Sequence, residues 1–159
     1  MDALVFSQAG DGRLPLATIV ANATRFFALD VDVLREEGVD PQGPAPEATR
    51  CELALRCRRT GRRGRVSVTT RRATIDDRSR AADAERLGRA AGMSSLADRC
   101  PRVWAVEAGS DTAAGVVERL LGALASAALG PVLPTDGSTL YGVRGALARA
   151  EREERDRAG

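Results

Sequence analysis

The spacing of apolar residues along this chain predicts a mixture of strands and helices. Residues 3–7 (ALVFS) form a short apolar run that ends at turn-forming residues, which predicts a strand. In residues 16–27 the apolar positions recur at intervals of three and four, which predicts an amphipathic helix. We expect residues 29–38 to continue this helix, or to restart it with Asp30 as the N-cap and the final glycine as its end.

Two later segments alternate apolar and polar residues and predict a β-hairpin. Residues 51–57 (CELALRC) place two cysteines and two leucines on one face. Residues 65–75 (RVSVTTRRATI) alternate in the same way and are rich in β-branched residues. The run RRTGRRG lies between them and supplies a turn. Residues 76–100 then predict a helix that breaks near Gly92, and residues 102–109 predict a compact strand.

The order strand, helix, strand, strand, helix, strand matches the ferredoxin-like plan (βαββαβ). That plan is an α+β fold in which both helices lie on one face of an antiparallel sheet. Residues 110–130 are apolar almost all round and predict a buried helix, followed by a turn and a further strand or helix. We therefore expect one α+β domain over residues 1–148, with this helix and strand extension, and a charged C-terminal tail over residues 149–159.

Composition excludes several chemistries. The 159 residues contain no histidine, which removes the usual Ser-His and Cys-His catalytic pairs and weakens any zinc site. All 24 basic residues are arginine, so neither a Schiff-base lysine nor a phosphate-binding P-loop is present. The three cysteines form no CxxC pair, and Cys51 and Cys57, which share one face of a predicted strand, are expected to be buried. We predict no catalytic residue, no metal site and no cofactor.

Charge is concentrated in the middle of the chain. Residues 50–102 hold fifteen arginines against six acidic residues, whereas residues 1–49 hold three against eight. Seven arginines fall within residues 57–72 alone. The candidate binding residues are the arginines of the hairpin and its turn, namely Arg56, Arg58, Arg59, Arg62, Arg63, Arg65 and Arg71.

These arginines have three possible roles. They can keep an exposed sheet solvated and guard its edge. They can face another protein, including the acidic N-terminal third of a second copy. They can also contact nucleic-acid phosphates, although these two strands lack the aromatic residues on which sheet-based RNA-binding domains stack bases. We favour a protein partner, with nucleic-acid binding as the alternative.

The apolar helix at residues 110–130 is the second candidate for an interaction. One alternative is that this helix is simply part of the core. Because few elements remain in one domain to cover it, we predict a homodimer contact through Val117, Leu121 and Leu124. The predicted function is a non-catalytic self-association or adaptor module. A more distant alternative is Mg²⁺-dependent phosphoryl transfer by Glu107 and Asp111 with Asp30 and Asp32.

The N-terminal residues MDALVFSQAGDGR have no basic lead-in and only a short apolar run, so we expect no signal peptide. We also expect no membrane-spanning segment, because the longest apolar stretch is shorter than the roughly 20 residues that a span requires. A cytoplasmic location is the resulting prediction.

Overall fold

The computed structural model describes residues 2–40, 42–88 and 91–159. Within these residues the fold is α+β, with a six-stranded antiparallel sheet and five helices. The strands are β1 (Asp2–Ser7), β2 (Leu29–Glu37), β3 (Arg50–Cys57), β4 (Arg63–Arg72), β5 (Arg102–Ala108) and β6 (Val132–Pro134). The helices are α1 (Leu16–Phe27), α2 (Ile75–Gly88), α3 (Met93–Asp98), α4 (Ala114–Ala128) and α5 (Val143–Ala158).

The strand order is β2-β3-β4-β5-β1-β6, and this differs from the ferredoxin-like plan. In a split βαβ unit, two strands joined by a helix are separated by another strand. Here β4 and β5 are joined by α2 and α3 but are direct antiparallel neighbours. The α+β class is therefore confirmed, and the ferredoxin-like topology is not.

Residues 29–37 form a strand, so the prediction of a continued or restarted helix is wrong. Helix α1 ends at Ala28, which adopts the left-handed conformation (φ 51°) and turns the chain away from the helix axis. Beyond it Leu29 and Val31 are buried while Asp30 and Asp32 lie on the other face. This two-residue alternation was present in the sequence and indicates a strand.

Helices cover both faces of the sheet instead of one. On one face, α4 packs between α1 and α5 over a core that includes Val5, Leu53 and Trp104. On the other face, α2 and α3 pack against a smaller cluster that includes Phe6 and Val103. Because neighbouring residues of a strand point to opposite faces, β1 supplies Val5 to one core and Phe6 to the other. The outer face of β2, β3 and β4 carries no helix among the described residues.

Residues 149–158 form the second half of α5, in which residues 155–158 are exposed and Ala150 is buried. Ala146 and Ala150 are fully buried against α4. Cys51, Cys57 and Cys100 are free and buried, and for Cys51 and Cys57 the strand pattern predicts this burial. Burial raises the pKa of the Cys51 and Cys100 thiols to about 11. No helix in the described part of the chain combines the length and apolarity that a membrane crossing requires.

Candidate functional site

The exposed outer face of β2, β3 and β4, which we call the open face, is the main candidate surface. The hairpin that the sequence predicted forms here, and strand pairing places its charged residues in level rows. In the first row Asp30 pairs with Arg56, which pairs with Arg63. In the second row Asp32 pairs with Ala54, which pairs with Arg65.

Each of these two rows therefore has a carboxylate on β2 and a guanidinium on β4, with β3 between them. Neighbouring strands are about 4.8 Å apart, so the acidic and basic columns are separated by roughly 10 Å. Ala54 is small and half-buried, so the side chain in the middle of the second row projects little from the sheet. The open face thus carries an acidic side and a basic side.

The seven candidate arginines do not form one continuous basic patch. Arg58 lies 3.3 Å from an Asp30 oxygen and donates to the Thr24 carbonyl at 2.7 Å. Arg59 lies 3.7 Å from Glu151, at the α5 side of the turn. Arg71 points at α2 and donates to both carboxylate oxygens of Asp77 at 2.6 and 2.9 Å.

The other four arginines are exposed and form no ion pair with the described residues. Arg56 and Arg65 stand on the open face, and Arg63 stands at the start of β4 on the same face. Arg62 lies in the turn, where Gly61 adopts a positive φ of 72°. Three of the seven arginines therefore form ion pairs within the chain, and the other four remain available to a partner.

A depression of about 330 Å³ lies next to the basic column. Ser67 lies between Glu52 on β3 and Glu107 on β5 at one register level. Its hydroxyl is buried and has no hydrogen-bond partner among the described residues. Leu34, which is 48% exposed, stands beside it at the bulge of β2. A buried hydroxyl without a hydrogen-bond partner is unfavourable to the fold.

The predicted oligomer contact on α4 is not on the surface. Val117, Leu121 and Leu124 are each 0% exposed and belong to the main core of the single chain. Helices α1 and α5 cover this helix, and the packing of α5 is not evident from its strongly charged sequence. These three residues are core residues, because a side chain buried inside one chain offers no surface to a second.

The acidic residues considered for a Mg²⁺ site are not grouped. Glu107 lies on β5 and Asp111 in the loop before α4, whereas Asp30 and Asp32 lie on the edge strand β2. Among the described residues there is no group of three or more acidic or cysteine side chains placed to hold a metal ion.

Sequence reasoning missed a pair of buried charges on α4. Glu118 is 3% exposed and accepts a hydrogen bond from the Tyr141 hydroxyl at 2.8 Å. Arg119 is 1% exposed and bonds to Glu154 of α5. The available signal was two adjacent charges in an otherwise apolar helix, since charged side chains are rarely fully buried unless they are paired.

Comparison of the chain with protein-family models, with curated proteins and with solved structures gives no significant match.

Proposed function

We propose that this chain is a non-catalytic self-association module, and that its open face packs on the open face of a second copy. The proposal rests on the opposite charges of β2 and β4, which lie on either side of β3. Identical surfaces pair about a two-fold axis, so residue i of one copy contacts residue j of the other and the reverse. An axis along β3 brings β2 of each copy over β4 of the other.

This arrangement pairs unlike charges on both sides of the axis. Asp30 of each copy then faces Arg63 of the other, and Asp32 faces Arg65. The small residue Ala54 lies on the axis, where it lets the two sheets approach. Like-charged copies of Arg56 and of Glu52 also meet near the axis, and each Arg56 has Asp30 as its strand neighbour.

The depression at Ser67 supports the same arrangement. The axis along β3 carries Leu34 of one copy toward β4 of the other, where this depression lies. An apolar side chain that is 48% exposed would thereby lose contact with water. Mixed charge on this surface also favours a protein over a polyanion, because Glu52 and Glu107 reduce the positive potential around Arg65.

The test reverses one charge on each side of the axis. We expect the wild-type protein to be a dimer in light scattering on a sizing column at low salt. D32R and R65E should each weaken assembly by about tenfold or more, because each places like charges opposite each other. A mixture of D32R and R65E chains should recover dimer mass, because both contacts in the mixed dimer are again between unlike charges.

The control is R155E, which reverses an exposed charge on α5 away from the open face. It should assemble as the wild type does, and thermal unfolding should show that all variants are folded. A wild-type protein that stays monomeric at high micromolar concentration would contradict the proposal. So would mixed D32R and R65E chains that stay monomeric.

Nucleic-acid binding is the second candidate function, and one observation favours it. Arg62, Arg63 and Arg157 line a depression of about 390 Å³ at the start of α4, although Asp111 lies there too. Phosphate contacts of this kind are strongly weakened by salt. A monomer whose absorbance at 260 nm falls after nuclease treatment or in high salt would favour this alternative. R62Q and R63Q would then release the nucleic acid.

We place this module in the cytoplasm. Three free, buried thiols are consistent with a reducing compartment, where disulfides are rare. The proposed partner is a second copy of the chain.

A further inference from the structure

A third depression lies beside α4 and α5, away from the open face. It has a volume of about 390 Å³ and lies between α4, α5 and the turn that follows β6. Glu118 lines this pocket from α4, Arg149 lines it from α5, and Thr135 and Asp136 line it from the turn. The self-association proposal does not use any of these residues.

The Glu118 carboxylate is only half satisfied by the protein. Its Oε2 accepts the hydroxyl of Tyr141 at 2.8 Å, whereas no hydrogen bond to Oε1 is present among the described residues. No arginine among the described residues forms an ion pair with Glu118. Burial raises the pKa of Glu118 above its ordinary value, partly offset by the Tyr141 hydrogen bond and by Arg149. A molecule that enters the pocket could therefore supply a hydrogen-bond donor to Oε1.

The nearest cation is held over an aromatic ring. The guanidinium carbon of Arg149 lies 4.2 Å from the centre of the Tyr141 ring, which is a cation–π contact. Tyr141 itself is anchored by two backbone hydrogen bonds to Val132, at 2.7 and 3.1 Å. These bonds fix the backbone of Tyr141, and its buried ring brings the hydroxyl to Oε2 of Glu118.

The charged side chains that line the pocket have a negative net charge. Four carboxylates line it, against the two guanidiniums of Arg149 and Arg152. The acidic residues are Asp2, Glu118, Asp136 and Glu153. A ligand that enters this field should be cationic, and a free carboxylate oxygen accepts hydrogen bonds from an N–H group.

We propose that this pocket binds a small organic molecule through a protonated amine, with Glu118 as its counter-charge and Tyr141 as the residue that positions the carboxylate. The ammonium group donates to Glu118 Oε1, and the charge-assisted bond replaces the missing ion pair. Mg²⁺ and Ca²⁺ fit this site less well, because they prefer six or more oxygen ligands and no suitable acidic cluster occurs in the described residues.

The test compares amines with alcohols of the same skeleton. The probes are n-butylamine, phenethylamine and 1,5-diaminopentane, each paired with the corresponding alcohol, at neutral pH and low salt. Binding is measured by calorimetry and by amide chemical shifts in NMR. At least one amine should bind with shifts around Glu118, Thr135 and Arg149, and its alcohol should not.

Two variants and one control decide the result. E118Q keeps the side-chain shape and should weaken amine binding by about tenfold or more, which is about 1.4 kcal/mol. A114L places a larger side chain in the pocket from α4 and should block binding. This variant provides a second test if E118Q does not fold. D98N removes an exposed acidic charge at the end of α3 and should bind as the wild type does. Binding that survives in E118Q or A114L, or the absence of binding by all three amines, would overturn the proposal.

Discussion

Asp77 shows how a single residue can begin a helix and join it to the sheet. Its carboxylate accepts the backbone N–H of Thr74 at 2.8 Å, and the Thr74 hydroxyl accepts the backbone N–H of Asp77 at 3.1 Å. This reciprocal pair is a capping box at the start of α2. Arg71 of β4 adds two hydrogen bonds to the same carboxylate. Burial acts to raise the pKa of Asp77, but the bonds from Arg71 and Thr74 lower it to about 2.

We predict that D77N lowers the free energy of unfolding by about 1–2 kcal/mol at pH 7, because it removes a cap and an ion pair. The folded-state pKa lies below the ordinary value of about 3.9, so this contribution is complete above that value and is lost as the pH falls toward 2. Urea unfolding at pH 7, 4 and 3 measures it. D76N changes an exposed neighbour and is the control. Equal losses in D77N and D76N would contradict the prediction.

Residue identity alone was enough to place some side chains correctly. Trp104 is fully buried, and the cysteines are buried too, because apolar and weakly polar side chains gain free energy by leaving water. Glu118 and Arg119 could not be placed in this way. Their burial depends on Tyr141 and Glu154, which are 23 and 35 residues away along the chain.

Among the elements, α4 depends most on close packing. It lies between α1 and α5, and Gly122 faces Phe27 of α1. A Cβ atom on Gly122 would lie 2.3 Å from the Phe27 ring, which is far inside van der Waals contact. Glycine is required at this position because α1 approaches the helix backbone.

We predict that G122A lowers the free energy of unfolding by about 1–3 kcal/mol, because the Phe27 ring must move. This loss should outweigh the gain in helix propensity, which is about 1 kcal/mol for glycine to alanine. G115A on the same helix is the matched control, since its Cβ would meet atoms no nearer than 3.4 Å. G115A should be neutral or stabilising. Denaturant unfolding of both variants checks this, and equal stabilities would contradict it.

Element prediction succeeded where the sequence pattern was local and failed at β2. The hairpin strands and α1, α4 and β5 lie close to their predicted positions, because each has a clear period of its own. Residues 29–37 follow a helix directly, and only the left-handed turn at Ala28 separates the two elements. Alanine does not favour the left-handed conformation, so the residue at position 28 does not indicate that the helix ends there.

In the molecule as a whole, Arg119 links three helices at the centre of the fold. Its Nε and Nη2 atoms donate to Glu154 of α5 at 2.8 and 3.1 Å. Its Nη1 atom donates to the carbonyl of Phe27 at the end of α1, at 2.7 Å. The guanidinium thereby lowers the pKa of Glu154 and holds α5 on α4.

We predict that R119M lowers the free energy of unfolding by about 3–5 kcal/mol, because it leaves Glu154 and the Phe27 carbonyl without their partner. The double variant R119M/E154L should recover part of this loss, since no buried charge then remains unpaired. R155M on the exposed side of α5 is the control. Urea unfolding measures the losses, and limited proteolysis reports release of α5. A double variant as unstable as R119M would contradict the account.

The candidate surfaces were only partly predictable at this scale. The arginine-rich hairpin was evident from composition, and Arg56, Arg63 and Arg65 lie exposed on the open face. The acidic side of this face, formed by Asp30 and Asp32 on β2, was not predicted, because residues 29–37 were expected to be helical. The pocket around Glu118 was not predicted at all, since β1, α4, the turn after β6 and α5 all contribute to it.

The sequence by itself determined the α+β class, the hairpin, the buried thiols and the concentration of arginine, because periodicity, turn chemistry and side-chain polarity act over a few neighbouring residues. Only the tertiary structure decided the strand order, the burial of Val117, Leu121 and Leu124, and which arginines remain free. These features depend on contacts between residues far apart in the chain, and α5 changes them most by covering the apolar helix that would otherwise have faced another molecule.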